Sequence, residues 1–188
     1  MNIIFVHGFN DPSEGSKNID LLAPYAKKKG YNPITQDMDY GWRGLFGVRF
    51  KNDDTAKRLI DLYQEGDIVV GYSNGCDIIA QAIEAGLQAK HCIFIHPALR
   101  ADWTPPHDSP IVWIDVYYSE HDKATRAARW LRWLSRLNPL LDEHRWGNMG
   151  TIGPTSLNKA FHSHDDGCNH YNWIDNPELY LSTIKDIT

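Results

Sequence analysis

Asp67-Ile68-Val69-Val70-Gly71-Tyr72-Ser73-Asn74-Gly75-Cys76-Asp77-Ile78-Ile79-Ala80 is the stretch on which the fold turns. Its first half, Asp67 to Tyr72, is β-rich and shows no polar alternation, as expected of a central strand covered on both faces. It runs straight into Ser73, and the segment from Cys76 to Ala85 is rich in Ala and Ile and free of Pro. A buried helix is therefore expected at once after Ser73, with Gly86 as its stop signal. A strand that passes into a helix through so few residues is half of a βαβ unit.

The same alternation of apolar runs and helical patterns extends in both directions. Upstream, Ile3 to Val6 reads as a strand. Ser16 to Lys29 reads as a helix whose regular part Pro24 delays, and Gly30 ends it. Pro33 to Gln36 is a second strand candidate, followed by an aromatic, Gly-rich loop from Tyr40 to Phe50. Between Asp54 and Gln64, Ala56, Leu59, Ile60 and Tyr63 recur at helical spacing, and Gly66 closes that helix. Downstream, His91 to Ile95 and Ile111 to Tyr118 give two further strands, separated by a Pro-rich link from Pro97 to Pro110. A helix is expected from Lys123 to Leu137, then a polar, Gly-rich segment from Pro139 to Asn172 and a last helix from Pro177 to Ile184. The sum is a single domain over 1–188 of α/β class, a mostly parallel sheet of about five strands flanked by helices.

Composition narrows the function classes. The chain has 188 residues, with 24 acidic against 19 basic side chains and a formal net charge of -5. Nucleic-acid binders are usually basic, so no nucleic-acid partner is expected. No run of 18 apolar residues is present, so no transmembrane segment is expected. The opening residues lack the charged n-region and long apolar run of a secretory signal. The cysteines Cys76, Cys92 and Cys168 cannot all pair and form no CxxC spacing, which suits a reducing compartment. The expected location is the cytoplasm.

Gly71-Tyr72-Ser73-Asn74-Gly75 is a G-x-S-x-G sequence set between a buried strand and an Ala-rich helix, the context a nucleophile elbow requires. A serine carried through so tight a turn needs small neighbours, which Gly71 and Gly75 supply, and the helix N-terminus brings backbone N–H groups beside its oxygen. The plainer reading of the same residues is a βα turn with Ser73 as N-cap.

With these residues in place, the sequence resembles the α/β-hydrolase family over essentially its whole length. Ile3-Ile4-Phe5-Val6-His7-Gly8-Phe9 is similar to that family's strand followed by His-Gly. The resemblance implies a compact hydrolase fold without a large cap insertion, and a shallow, open site. It implies Ser73 as nucleophile and an oxyanion hole made by the backbone N–H groups of Phe9 and Asn74. The family's order of nucleophile, acid and base then points to Asp122, in Ser119-Glu120-His121-Asp122 after a late strand, and to His170, in Asn169-His170-Tyr171-Asn172 before the Pro177 helix. Glu120 is the local rival to Asp122, and Asp115 lies inside the strand. His164 and His162 are the fallback bases. Such a serine hydrolase would act on a small-molecule acyl substrate, an ester, thioester or amide, and would need no cofactor and no metal.

Two other readings remain open on the residues themselves: a binding module that keeps the fold without the chemistry, and a metal-dependent hydrolase using the His162 to His170 segment, where imidazole, carboxylate and thiolate side chains are close in sequence. Four arginines with Trp130 and Trp133 leave the Lys123 to Leu137 helix three roles: packing on the sheet with its arginines solvated, lying at a lipid surface, or forming a cap over the site. Trp42, Phe46, Trp103 and the segment from Trp146 to Gly150 are candidates to fold over Ser73. His96, just after a strand, reads as a structural histidine capping its loop, with a place facing the cleft as the alternative, and Cys76 reads as core.

Overall fold

Every residue of the strand Ile68–Tyr72 is buried, and the computed structural model shows why: it lies inside a six-stranded, wholly parallel sheet. The structure describes residues 1–8, 16–35, 44–111, 113–126 and 146–184, with only the backbone given for 44–51. In chain order the elements are β1 (Asn2–Val6), a 3-10 turn (Ile19–Leu22), α1 (Ala23–Lys28), β2 (Asn32–Ile34), α2 (Gly44–Leu62), β3 (Ile68–Tyr72) and α3 (Asn74–Glu84). They continue with β4 (His91–Ile95), β5 (Trp113–Tyr118), α4 (Met149–Ile152), β6 (Phe161–Asp165), a second 3-10 turn (Asn172–Asp175) and α5 (Pro177–Ser182). The strand order is β2-β1-β3-β4-β5-β6.

Strict alternation along the strands divides the core into two layers. Ile4 and Val6 of β1, Val69 of β3, Cys92 and Phe94 of β4, and Ile114 and Val116 of β5 pack with Leu59 of α2 and Ile78, Ile79 and Ile83 of α3. Their neighbours Ile3, Phe5, Ile68, Val70, Ile93, Ile95 and Tyr117 pack on the other side with Ile19, Leu22, Trp173, Tyr180 and Leu181. A sheet buried on both faces needs apolar residues at successive positions, which is why β1, β3 and β4 read as unbroken apolar runs.

Pro24 occupies the first turn of α1, where its missing N–H costs nothing, and the helix proper begins only at Ala23. Gly30, Gly66 and Gly86, the expected stops, all have positive φ. Cys76 and Cys92 are buried free thiols, and burial pushes the Cys92 thiol up to about 12. Among the described residues, no helix is long and apolar enough to cross a membrane.

Two expectations need correction, and a third lies largely outside the described residues. Among the described residues the sheet has six strands, not about five: Phe161–Asp165 forms β6, paired in parallel with β5 from Ile114↔Phe161 to Tyr118↔Asp165. As an edge strand it is half-exposed and carries polar side chains, so it lacks the apolar signature of its neighbours. The aromatic loop expected over Tyr40 to Phe50 is helical from Gly44 onward, because α2 extends well upstream of its amphipathic part. Residues 36–43 lie outside the described residues. Of the helix expected from Lys123, residues 123–126 are helical, and 127–145 are not described.

Candidate active site

The strand order reverses at β1, since β2 lies on one side of it and β3 on the other. In an open parallel sheet, the crevice beyond the carboxyl ends of the strands at such a point is where ligands bind. Gly8 leaves β1 there, and Ser73 leaves β3. A Cβ on Gly8 would lie 3.0 Å from the Tyr72 ring and 3.3 Å from Ser73 Cβ, so the two strand ends are in contact.

Ser73 takes φ 53 and ψ -116, a backbone that L-residues rarely adopt. Its surroundings hold it there: its N–H donates to the Ile95 carbonyl, and its own carbonyl accepts from Cys76 and Ala98. α3 starts at the next residue. The Asn74 side chain is fixed behind the turn, where its Oδ1 accepts from Asn52 Nδ2 at 3.1 Å and from Trp146 Nε1 at 3.2 Å. Asn52 of α2 also donates to Asp77 of α3 at 2.9 Å, so buried polar contacts tie the two helices together beneath the elbow.

His170, from the loop after β6, brings Nε2 to 3.1 Å from Ser73 Oγ and Nδ1 to 2.9 Å from Asp122 Oδ2. A carboxylate only accepts, so Nδ1 carries the proton and Nε2 is left to accept from the serine hydroxyl. The imidazole is itself held from behind, as Tyr72 donates its OH to the His170 carbonyl at 2.7 Å and packs its ring 5.1 Å from the imidazole. Asp122 is fully buried, and its two oxygens have separate tasks. Oδ1 accepts from the N–H groups of Ala124 and Thr125, both at 3.0 Å, capping the helical residues 123–126. Oδ2 accepts from His170 and, at 3.0 Å, from His96 Nδ1. Burial alone would raise the Asp122 carboxyl. The hydrogen bonds from His170, His96 and Thr125 win, and hold it well below the usual carboxylate range.

Ser73, His170 and Asp122 are thus brought together from three separate stretches of chain, and Asn74 lies beside them. Phe9 falls outside the described residues. The rivals go elsewhere. Glu120 is exposed, while Asp115 is fully buried deeper in β5, accepting from His91 Nε2 at 2.9 Å, His164 Nε2 at 2.7 Å and Trp113 Nε1 at 3.0 Å. His162 stacks flat on Trp113, with centroids 3.4 Å apart. His162 and His164 therefore stay together around Trp113 and Asp115, and His170 alone of this segment reaches Ser73. Among the described residues, the group able to bring three metal donors together is instead His96, Asp122 and His170, one donor atom of each lying within 4.8 Å of the others. The hydrogen bonds joining these three already account for that proximity.

Trp146 reaches the elbow through Asn74, whereas Trp103 lies against Phe94 and Phe161 and donates to Glu84 at 2.9 Å, on the α3 side of the sheet. Phe46 falls in the stretch of α2 given only as backbone, and Trp42 outside the described residues.

Of the two sequence readings of His96, a structural cap of its loop and a residue facing the cleft, the structure favours the second, since His96 shares the Asp122 carboxylate with His170. His96 is fully buried at the end of β4 with φ 46, and its second nitrogen, Nε2, lies 3.1 Å from Asp166 Oδ2. Asp166 in turn accepts from the Tyr180 hydroxyl at 2.8 Å. Position at the carboxyl end of a central strand was the one sequence signal available for His96. Asp166 had none while β6 went unrecognised.

No protein-family model matches the sequence, and no curated protein shows significant similarity to it. Solved structures do match in shape. A protein of the alpha/beta hydrolase superfamily from Xanthomonas campestris pv. campestris superposes with a TM-score of 0.55 at 17% identity, over 96% of this chain and 95% of that one. A pyrethroid hydrolase from Sphingobium faniae JZ-2 gives 0.53 at 13% identity, over 98% and 95%. A lipase from Bacillus licheniformis gives 0.51 at 12% identity, over 96% and 88%. The parallel sheet, the elbow at its switch point and these likenesses define one class: the chain has the α/β-hydrolase fold.

Proposed function

We propose that this protein is a serine hydrolase that cleaves an ester, thioester or amide bond through an acyl-enzyme. The single observation carrying this reading is the unbroken hydrogen-bonded path from Ser73 Oγ through His170 to the buried carboxylate of Asp122. Hydroxyl, imidazole and carboxylate in this sequence form the arrangement that activates a serine, which is otherwise a weak nucleophile.

In this mechanism Ser73 Oγ attacks the acyl carbon as its proton passes to His170 Nε2. Asp122 keeps the Nδ1 proton in place and stabilises the imidazolium that forms. The carbonyl oxygen becomes an oxyanion held by the backbone N–H of Asn74, at the first turn of α3, and by that of Phe9. His170 then gives its proton to the leaving group, and water repeats the cycle to release the acid and regenerate Ser73. The fold is common to the pyrethroid hydrolase and the lipase described above, and a small-molecule acyl substrate is in keeping with both.

The test is covalent labelling by an alkyl fluorophosphonate, read by intact mass and peptide mapping. Attack of Ser73 Oγ on phosphorus expels fluoride and leaves a stable adduct. The expected result is one adduct on Ser73, absent from Ser73→Ala at unchanged secondary structure. Failure of the folded wild type to label would remove the proposal and favour a binding module.

A further inference from the structure

We infer that His96 is a charged positioning residue, an imidazolium wedged between Asp122 and Asp166 that sets how readily His170 takes up a proton. The inference rests on Ser73, His170 and Asp122 acting as proposed above. Both ring nitrogens of His96 face carboxylate oxygens, Nδ1 at 3.0 Å from Asp122 and Nε2 at 3.1 Å from Asp166. A neutral imidazole has one N–H and one lone pair, and the lone pair would point at an anion. Only the doubly protonated ring satisfies both contacts.

The groups facing this ring come from every side of the site. Asp122 follows β5, Asp166 follows β6, and His170 lies edge-on with its centroid 6.0 Å away. Tyr180 of α5 and Cys168 reach it only through Asp166, and both are held protonated, since burial and Asp166 raise them. Burial by itself would strip the proton from His96, but the hydrogen bonds to Asp122 and Asp166 carry it up to about 9. The backbone fixes the ring's place: His96 N–H donates to the Tyr117 carbonyl, and a Cβ on Gly150 would come 2.8 Å from the His96 carbonyl carbon.

The consequence lies in the charge count. Asp122, His96 and Asp166 together carry one negative charge, not two, and the positive member touches the very oxygen that His170 uses. Protonating His170 therefore places a second cation against the same carboxylate oxygen. The His96 charge thus opposes, at that shared oxygen, the attraction by which Asp122 draws a proton onto His170.

The experiment measures the rate of fluorophosphonate labelling of Ser73 against pH in wild type, in His96→Gln, and in His96→Gln/Asp166→Asn. Gln keeps a donor toward Asp122 without charge, and the double variant preserves the net charge of the buried group, so folding does not hinge on two facing carboxylates. Removing the cation should move the acid limb of the profile to higher pH by about one unit, more in the single variant than in the double. A 15N spectrum of the imidazoles should show both His96 nitrogens protonated at pH 7.5. An acid limb that stays in place in a folded double variant, or a neutral His96 ring, overturns the inference and leaves the Ser73 mechanism standing. A wild type that does not label removes both.

Discussion

Gly75 and Val6 are packed so tightly that a Cβ on Gly75 would lie 2.1 Å from the Val6 carbonyl oxygen. The second glycine of G-x-S-x-G is thus a contact between the first turn of α3 and the end of β1, and it sets how deeply the helix N-terminus seats beside Gly8. Gly71 is confined in the same way, its missing Cβ lying 2.9 Å from the Cys76 nitrogen. Replacing Gly75 by Ala forces backbone apart from backbone, with no flexible side chain to yield. The expected cost is about 3 kcal/mol of stability, measured by urea unfolding, and a loss of Ser73 labelling even where the variant remains folded.

Asp122→Asn separates the two tasks of that side chain. The Asn oxygen can still cap residues 123–126, while its amide can no longer accept from both histidines, and His170 is free to adopt the tautomer that faces Ser73 with an N–H. Labelling of Ser73 should fall by about 10⁴-fold, and the melting temperature should fall as well, because the His96 imidazolium loses a buried anionic acceptor. Asp122→Ala should lose as much reactivity and in addition about 1 kcal/mol for the missing cap. Equal melting temperatures for the two variants would speak against a capping role.

The proton held by His96 also links stability to pH. Its folded value, about 9, lies above the ordinary value of about 6.5, so the folded state binds this proton more tightly than the unfolded chain. The stabilisation is complete below about pH 6.5 and is lost as pH rises through about 9. Asp122, Asp166 and Asp115 are all lowered and act in the opposite sense, contributing above the usual carboxylate range and failing in acid. Thermal melts across pH 6 to 10 should show a decline for wild type that is absent from His96→Gln/Asp166→Asn. Parallel curves would mean that His96 does not titrate in this window.

What the sequence made legible follows from what each element must bury. β1, β3 and β4 have both faces covered, so their apolar runs are continuous and their ends sharp; Gly71 and Gly75 are demanded by local contacts and stand in the motif itself. Ser73 has a local context of its own, a G-x-S-x-G turn between strand and helix, whereas Asp122 and His170 are reached only through the order of residues that the family resemblance implies. β6 could not be found in this way, since its residues His162, Ser163, His164 and Asp165 are half-exposed and polar. The start of α2 at Gly44 was equally hidden, as Gly44 and Gly47 are poor helix formers whose state is decided by the helix they adjoin. His96 shows the general limit. Its partners lie 26 and 70 residues away, and its left-handed backbone leaves no mark on the sequence.

Asp115 supplies a control on the whole assignment, because it duplicates the chemistry of Asp122 without its position. Both are fully buried carboxylates that accept from two histidines. The Asp115 group sits midway along β5, one residue pair from the start of β6, with the Thr183 hydroxyl as a further hydrogen-bond partner; Asp122 lies beyond the strand end, where His170 and Ser73 converge. Removing Asp115 as Asp115→Ala leaves His91 buried without its acceptor and should cost about 3 kcal/mol, read from chemical unfolding. The rate of Ser73 labelling per folded molecule should stay within about twofold, far below the 10⁴-fold loss that triad disruption brings. Were Asp115→Ala to silence Ser73 while remaining folded, the acid would belong to the wrong strand position, and the division of the two carboxylates between stability and reactivity would have to be reversed.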